Sequence, residues 1–168
     1  GCNDKGMEQP YITQTRARLR TWLATGYAVF IVYASLSPFT GWRPQGMDFI
    51  EMLGMPLRLT YTPFDAALNF LSYLPFGLLV GMTLRARFGV VASVLLGLFL
   101  GVSLSAGMEY LQMYLPGRIS SNMDLLSNSA GMLLGGLLAA RITLWPWLLA
   151  RLTNWRSNLF QHGKEMDF

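Results

Sequence analysis

Residues 105–136 read SAGMEYLQMYLPGRISSNMDLLSNSAGMLLGG, a polar stretch between two long apolar segments. Three of its polar residues, Ser105, Glu109 and Gln112, follow one another at i, i+4 and i+7, which places them on one face of a helix. The Pro-Gly pair at residues 116–117 then breaks the chain. The stretch therefore predicts a helix with a polar stripe, followed by a short turn.

A second polar stripe follows this turn. Asp124, Asn128, Gly131 and Gly135 fall at i, i+4, i+7 and i+11, again on one helical face. Arg118 lies in the turn itself, where it can serve as the counter-charge of a carboxylate on either helix. We therefore predict two polar faces that meet across a turn carrying a cation.

The composition of the whole chain is that of a membrane protein. Of its 168 residues, 52% are hydrophobic and 13% are charged, with a mean hydropathy of +0.35, whereas about 25% of residues are charged in an average soluble domain. The basic residues behind the net charge of +4 are spread along the chain, which argues against a nucleic-acid partner. The lone Cys2 excludes an internal disulfide, and the lone His162 excludes a His-rich metal site and a core Ser-His-Asp triad. No cofactor and no metal are expected.

Four apolar segments are predicted to cross a bilayer. These spans are residues 22–36, 66–84, 88–115 and 124–140. The fold class is therefore all-α, a polytopic membrane protein with a four-transmembrane-helix bundle at residues 21–140. Residues 1–20 form a cytoplasmic N-terminal segment, and residues 141–168 form a basic, Trp-rich segment at the membrane interface.

The basic residues predict the orientation of the bundle. If the N-terminus is cytoplasmic, ten of the 13 Lys and Arg residues lie on the cytoplasmic side, and only Arg43, Arg58 and Arg118 lie outside. The positive-inside rule therefore places both termini in the cytoplasm. The polar stretch then lies toward the outer leaflet.

Small residues repeat every four positions along three of the predicted spans. They are Gly77 and Gly81 in the second, Ser93, Gly97, Gly101 and Ser105 in the third, and Ser127, Gly131 and Gly135 in the fourth. Such faces let membrane helices approach closely. We interpret these glycines as structural.

Acidic and amide side chains from three helices are predicted to meet at the outer end of the bundle. Asp65 and Asn69 begin the second span there, and Ser72 continues their face. Asp65 and Asp124 can be explained as acids at helix N-termini. Glu109 cannot, because it lies near the C-terminal end of its helix, where its charge opposes the dipole, and an intramembrane carboxylate is costly.

We therefore predict a functional site around these residues. Glu109 and Asp124 are the catalytic candidates, and the ligand-binding candidates are Asp65, Asn69, Ser105, Gln112, Arg118 and Asn128. An oxygen-only cation site formed by Asp65, Glu109 and Asp124 is a weaker alternative.

Three motifs at these positions resemble those of the VanZ-like membrane proteins. They are N-x5-P-x-G from Asn69, E-x2-Q-x5-R from Glu109 and D-x3-N-x2-G-x3-G from Asp124, and the resemblance covers about residues 27–140. It implies a small four-span protein of the bacterial cytoplasmic membrane. The founding member of that family is associated with resistance to teicoplanin-type glycopeptides.

Two main functions remain open from the sequence. The first is binding, by an outer-leaflet pocket, of a lipid-linked cell-wall precursor or a lipoglycopeptide, with Arg118 on phosphate or carboxylate and polar side chains on sugar or amide groups. The second is an enzyme that modifies an envelope lipid or glycan with Glu109 as acid/base, although no serine has a nearby His or Lys to activate it. Proton-coupled transport is a third reading, for which a homodimer would supply the missing repeat. Membrane lipids are partners in every case.

Overall fold

The computed structural model describes residues 8–46, 48–57 and 63–144, and these residues form helices and connecting loops without a strand. The helices are α1 (Glu8–Leu36), α2 (Phe49–Gly54), α3 (Pro63–Gln112) and α4 (Asn122–Leu144). By length and composition α1, α3 and α4 could each cross a membrane. The all-helical fold and its membrane-helix character are confirmed, while four spans and cytoplasmic termini stay predictions.

Helix α3 contains both the second and the third predicted span, and it is not straight. A straight helix of its 50 residues would be about 75 Å long, more than twice the thickness of the hydrocarbon core. Gly89 interrupts it with φ 74° and ψ −174°, angles that favour glycine. A Cβ added to Gly97 would lie 3.6 Å from Cγ1 of Val80, although the two residues would be about 25 Å apart along a straight helix. The chain therefore turns back at Gly89.

The turn divides α3 into a first arm, residues 63–88, and a second arm, residues 90–112. Helix α4 packs against both arms, and glycines set the separation. A Cβ on Gly135 would lie 2.1 Å from the carbonyl oxygen of Leu74 on the first arm. On the second arm, a Cβ on Gly101 would lie 2.3 Å from Cγ of Met132. No residue larger than glycine fits either contact unchanged, so the predicted close approach at these glycines is confirmed.

Helix α1 lies along the first arm. The hydroxyl of Tyr27 donates to the carbonyl oxygen of Ser72 at 2.9 Å, and the rings of Tyr27 and Phe76 stack at 6.3 Å. Ile31 packs in the same buried cluster as Phe76 and Met132. Trp22, earlier in α1, lines a groove with Leu84 and Phe88, later in the first arm. The two helices are therefore antiparallel.

The outer surface of the helices is apolar, as a lipid environment requires. Val91, Phe99 and Phe30 are 71%, 67% and 59% exposed, and large side chains of this kind are spread along all three long helices. In water an exposed apolar surface of this extent would mark a docking site or an aggregation hazard. In a bilayer it is the expected contact surface.

The boundaries of the terminal segments are only partly described. Helix α1 begins at Glu8, so the second half of the predicted segment 1–20 is helical and continuous with the first span. Helix α4 continues to Leu144. The predicted interfacial segment beyond it, like Cys2 and His162, lies outside the described residues.

Candidate functional site

Five polar side chains are buried together where the two arms of α3 meet α4. We call them the polar cluster: Tyr73 of the first arm, Ser105 and Glu109 of the second, and Asp124 and Asn128 of α4. None is more than 5% exposed. The predicted stripes on α3 and α4 therefore do meet, although the cluster is closed and not an open pocket.

Glu109 is stabilised by the start of α4. The backbone amide of Ser121 donates to Oε2 of Glu109 at 3.0 Å, and Oγ of Ser120 donates to the backbone carbonyl oxygen of Glu109 at 2.7 Å. Oγ of Ser121 also accepts from the amide of Met123 at 3.1 Å, as an N-capping serine does. The N-terminal dipole of α4 favours the negative charge that the dipole of α3 opposes. This compensation explains how a carboxylate is kept at this position.

Asp124 connects α4 to the first arm. Nδ2 of Asn69 donates to Oδ1 of Asp124, so these two predicted site residues are brought together. Asp65 lies one turn earlier, exposed in the first turn of α3. Its position fits the interpretation as an acid at a helix N-terminus better than a place in the buried cluster.

Asn128 connects α4 to the second arm, and the cluster is incomplete there. Nδ2 of Asn128 donates to Oγ of Ser105 at 2.9 Å. Among the described residues, neither Oδ1 of Asn128 nor the hydroxyl of Tyr73 has a hydrogen-bond partner. Buried polar atoms are nearly always paired, and one left unpaired costs about 1–3 kcal/mol. The two unpaired atoms lie on facing helices, where a polar ligand or a water molecule would satisfy them.

Gln112 and Arg118 lie outside the polar cluster and contact the C-terminal end of α1. Nε2 of Gln112 donates to the carbonyl oxygen of Ser35 at 3.0 Å. Nη2 of Arg118 donates to those of Ala34 and Ser37 at 3.3 and 3.4 Å. Carbonyl groups in the last turn of a helix lack helical partners. These two side chains therefore cap the C-terminus of α1, where a cation is also favoured by the dipole.

This finding corrects the role expected for Arg118. We predicted that it neutralises Glu109 or Asp124, but its described hydrogen bonds go to backbone carbonyls of α1. Glu109 accepts instead from the amide of Ser121. The described residues also contain no group of three His, Cys, Asp or Glu side chains that could hold a metal ion, so the alternative cation set is not assembled.

Two members of this arrangement, Tyr73 and the amide of Ser121, were not predicted from the sequence. Ser72 was expected to continue the polar face of the first arm, but it is exposed and Tyr73 is buried instead. The signal available was spacing, since Tyr73 follows Asn69 at i+4. A backbone amide leaves no signal in the sequence at all.

A comparison with family models places this arrangement among known proteins. The VanZ/LLP1 family model matches residues 8–145, a range that includes the four described helices and the whole polar cluster. No curated protein and no solved structure matches the chain. Since the family model covers well over half of the sequence, the chain belongs to the VanZ/LLP1 family.

Proposed function

We propose that the polar cluster binds the polar headgroup of a lipid-linked cell-wall precursor. The observation that carries this proposal is a pair of buried atoms without a hydrogen-bond partner in the described chain, the Tyr73 hydroxyl and Oδ1 of Asn128, on helices that face each other. Inside a bilayer no bulk water is present to satisfy them. A bound headgroup would supply the missing partners.

The chemistry of the cluster favours a sugar over a phosphate. The carboxylate of Glu109 and the carbonyl oxygen of Asn128 accept hydrogen bonds, while the hydroxyl of Tyr73 can donate or accept. Sugar hydroxyls and N-acetyl amide groups carry the donors that such a set requires. A phosphate would bring further negative charge toward Glu109. Arg118 is exposed at the same end and keeps further N–H groups, with which it would bind the phosphate at the edge of the site.

The membrane arrangement is part of the same proposal. The two arms of α3 cross the bilayer separately, giving four spans with both termini in the cytoplasm of a bacterium. The turn at Gly89 supports the separate crossings, and the excess of basic residues on the side of Arg85 and Arg87 supports the orientation. The cluster then faces the outer leaflet, and the turn between α3 and α4 must move for a headgroup to reach it.

Retention of the precursor by the purified protein tests the proposal. The full chain in lipid nanodiscs would be incubated with labelled undecaprenyl-diphosphate-linked disaccharide-pentapeptide, and retained label would be measured. We expect retention to fall at least tenfold in Glu109→Gln. Glu51→Gln, the same change at an exposed position on α2, should retain the precursor like the wild type. No retention by the folded wild type would refute the binding function.

The same experiment separates binding from catalysis. If Glu109 is a general acid or base, the wild type will convert the precursor and Glu109→Gln will hold it unconverted. That result would favour the alternative function, an enzyme that modifies the precursor with Glu109 as acid or base.

Teicoplanin susceptibility tests the resistance role that the family suggests. Wild type and Glu109→Gln would be expressed at matched membrane levels in a glycopeptide-sensitive bacterium, with vancomycin as the second antibiotic. Reduced teicoplanin susceptibility with the wild type alone would tie the cluster to resistance. Unchanged susceptibility with both proteins in the membrane would count against it.

A further inference from the structure

A further feature of the bundle lies at the end opposite the polar cluster. There α1 and the end of the first arm enclose a groove of about 860 Å³, next to the turn at Gly89. Arg18 and Arg20 of α1 and Arg87 of α3 line it together with apolar side chains. The groove contains no residue of the polar cluster, and its place in the cytoplasmic leaflet rests on the orientation proposed above.

The three arginines give the groove a strong positive charge. Within the described chain no carboxylate lines it, and no hydrogen bond or ion pair of the Arg18, Arg20 or Arg87 side chains is described there. Arg85 shows the contrast, because its Nη1 donates to the carbonyl oxygen of Ala140 at 2.7 Å and thereby joins α3 to α4. Among the described residues the groove arginines have no such structural partner, so their guanidinium groups are available to a ligand.

The position of the groove matches the surface of a bilayer. The apolar stretch of α1 runs from Arg18 to Leu36, and its length of about 28 Å is close to the thickness of the hydrocarbon core. The arginines therefore lie at the level of lipid phosphates, and Trp22 lies at the interfacial depth that tryptophan favours. Leu84 and Phe88 continue the wall of the groove on the α3 side.

We infer that this groove binds one anionic phospholipid. Its phosphate lies among Arg18, Arg20 and Arg87, and an acyl chain lies along Trp22, Leu84 and Phe88. Charge complementarity favours a lipid over the chain's own C-terminal segment, since residues 145–168 carry three basic and two acidic side chains and thus offer no net negative charge to the arginines. The cytoplasmic leaflet, by contrast, presents anionic headgroups to basic side chains.

Native mass spectrometry of the purified full chain tests this inference. The protein would be released from mixed micelles that contain equal amounts of phosphatidylglycerol and phosphatidylcholine. We expect the wild type to retain one phosphatidylglycerol in preference, and each Arg→Gln substitution at 18, 20 or 87 to lower that preference about fivefold. Arg43→Gln removes the same charge at the other end of α1 and should leave the preference unchanged.

Triple variants separate the effect of charge from an effect on folding. A triple Arg→Lys variant keeps the charge and should keep most of the preference, whereas a triple Arg→Gln variant should lose it. If the triple Arg→Gln variant fails to fold, the single variants decide. Equal retention of both lipids by the wild type would overturn the inference. An equal loss in Arg43→Gln, or complete release of the lipid by millimolar inorganic phosphate, would do so as well.

Discussion

Helices α3 and α4 meet in two different ways along one interface. At Gly131 and Gly135 the contact is made by backbone, and an added Cβ would lie 2.2 and 2.1 Å from carbonyl oxygens of the first arm. Near the start of α4, the contact is made by the polar cluster, in which Tyr73 and Asn128 each have a buried atom without a hydrogen-bond partner among the described residues. The first contact is complete in itself, and the second is not.

The difference shows which part of the interface is explained by packing alone. The glycine contact needs no further reason than close approach of two helices, because that is how membrane helices gain van der Waals energy. The polar cluster lowers stability through its unpaired atoms. Proteins retain such local costs at functional sites, so the cluster and not the glycine contact is where function is to be sought.

The largest loss of stability is expected where Gly135 of α4 contacts the first arm. Gly135→Ala should lower the free energy of unfolding by about 3 kcal/mol, because the methyl group forces α4 away from the first arm. Gly136→Ala is a matched control one residue away, where an added Cβ meets no atom within 4 Å. Titration of the reconstituted protein with sodium dodecyl sulfate would measure both. Equal destabilisation by the two variants would contradict the role of backbone contact.

A smaller loss of stability is expected when the hydrogen bond between Ser105 and Asn128 is removed. Ser105→Ala removes the acceptor of Nδ2 of Asn128, so the cost should be about 1–2 kcal/mol. Ser103→Ala changes an exposed position of the same helix and should leave the same unfolding titration unchanged. A Ser105→Ala variant as stable as the wild type would show that this hydrogen bond contributes nothing to the free energy of unfolding.

Removal of the cap on α1 should cost still less. Gln112→Ala frees the carbonyl group of Ser35, and a neutral hydrogen bond of this kind contributes about 1 kcal/mol. Because the effect is local, hydrogen exchange of amides in the last turn of α1 should increase, while precursor retention should follow only the amount of folded protein. A loss of retention beyond that amount would return Gln112 to the binding site.

The sequence allowed one side of this comparison to be predicted better than the other. The four-residue period of glycines identified the close contact because a missing Cβ is visible in a sequence. The meeting of Asn69 with Asp124 was also predicted, since successive spans return polar ends to the same side. Local spacing and the alternation of spans were sufficient for both.

The partners of individual polar groups could not be predicted in the same way. Arg118 was assigned to a carboxylate because opposite charges attract, but the unpaired carbonyls at the end of α1 compete for it. That competition depends on where α1 ends in space, which spacing alone does not give. Tyr73 was missed because an aromatic residue in an apolar span is usually part of the core, and only its unpaired hydroxyl sets it apart.

Tyr73→Phe should have the smallest effect on stability and the most informative one on function. It removes only a buried hydroxyl without a described partner, so the free energy of unfolding should stay unchanged or rise by about 1 kcal/mol. If the hydroxyl binds the headgroup, precursor retention should nevertheless fall several-fold. Tyr33→Phe removes an exposed hydroxyl from α1 and should change neither quantity. A loss of retention without a loss of stability is thus expected in Tyr73→Phe alone, which no purely structural role of the cluster can produce. A variant that retains the precursor like the wild type would remove Tyr73 from the site and leave Asn128 as the only unpaired group in the described cluster to account for binding.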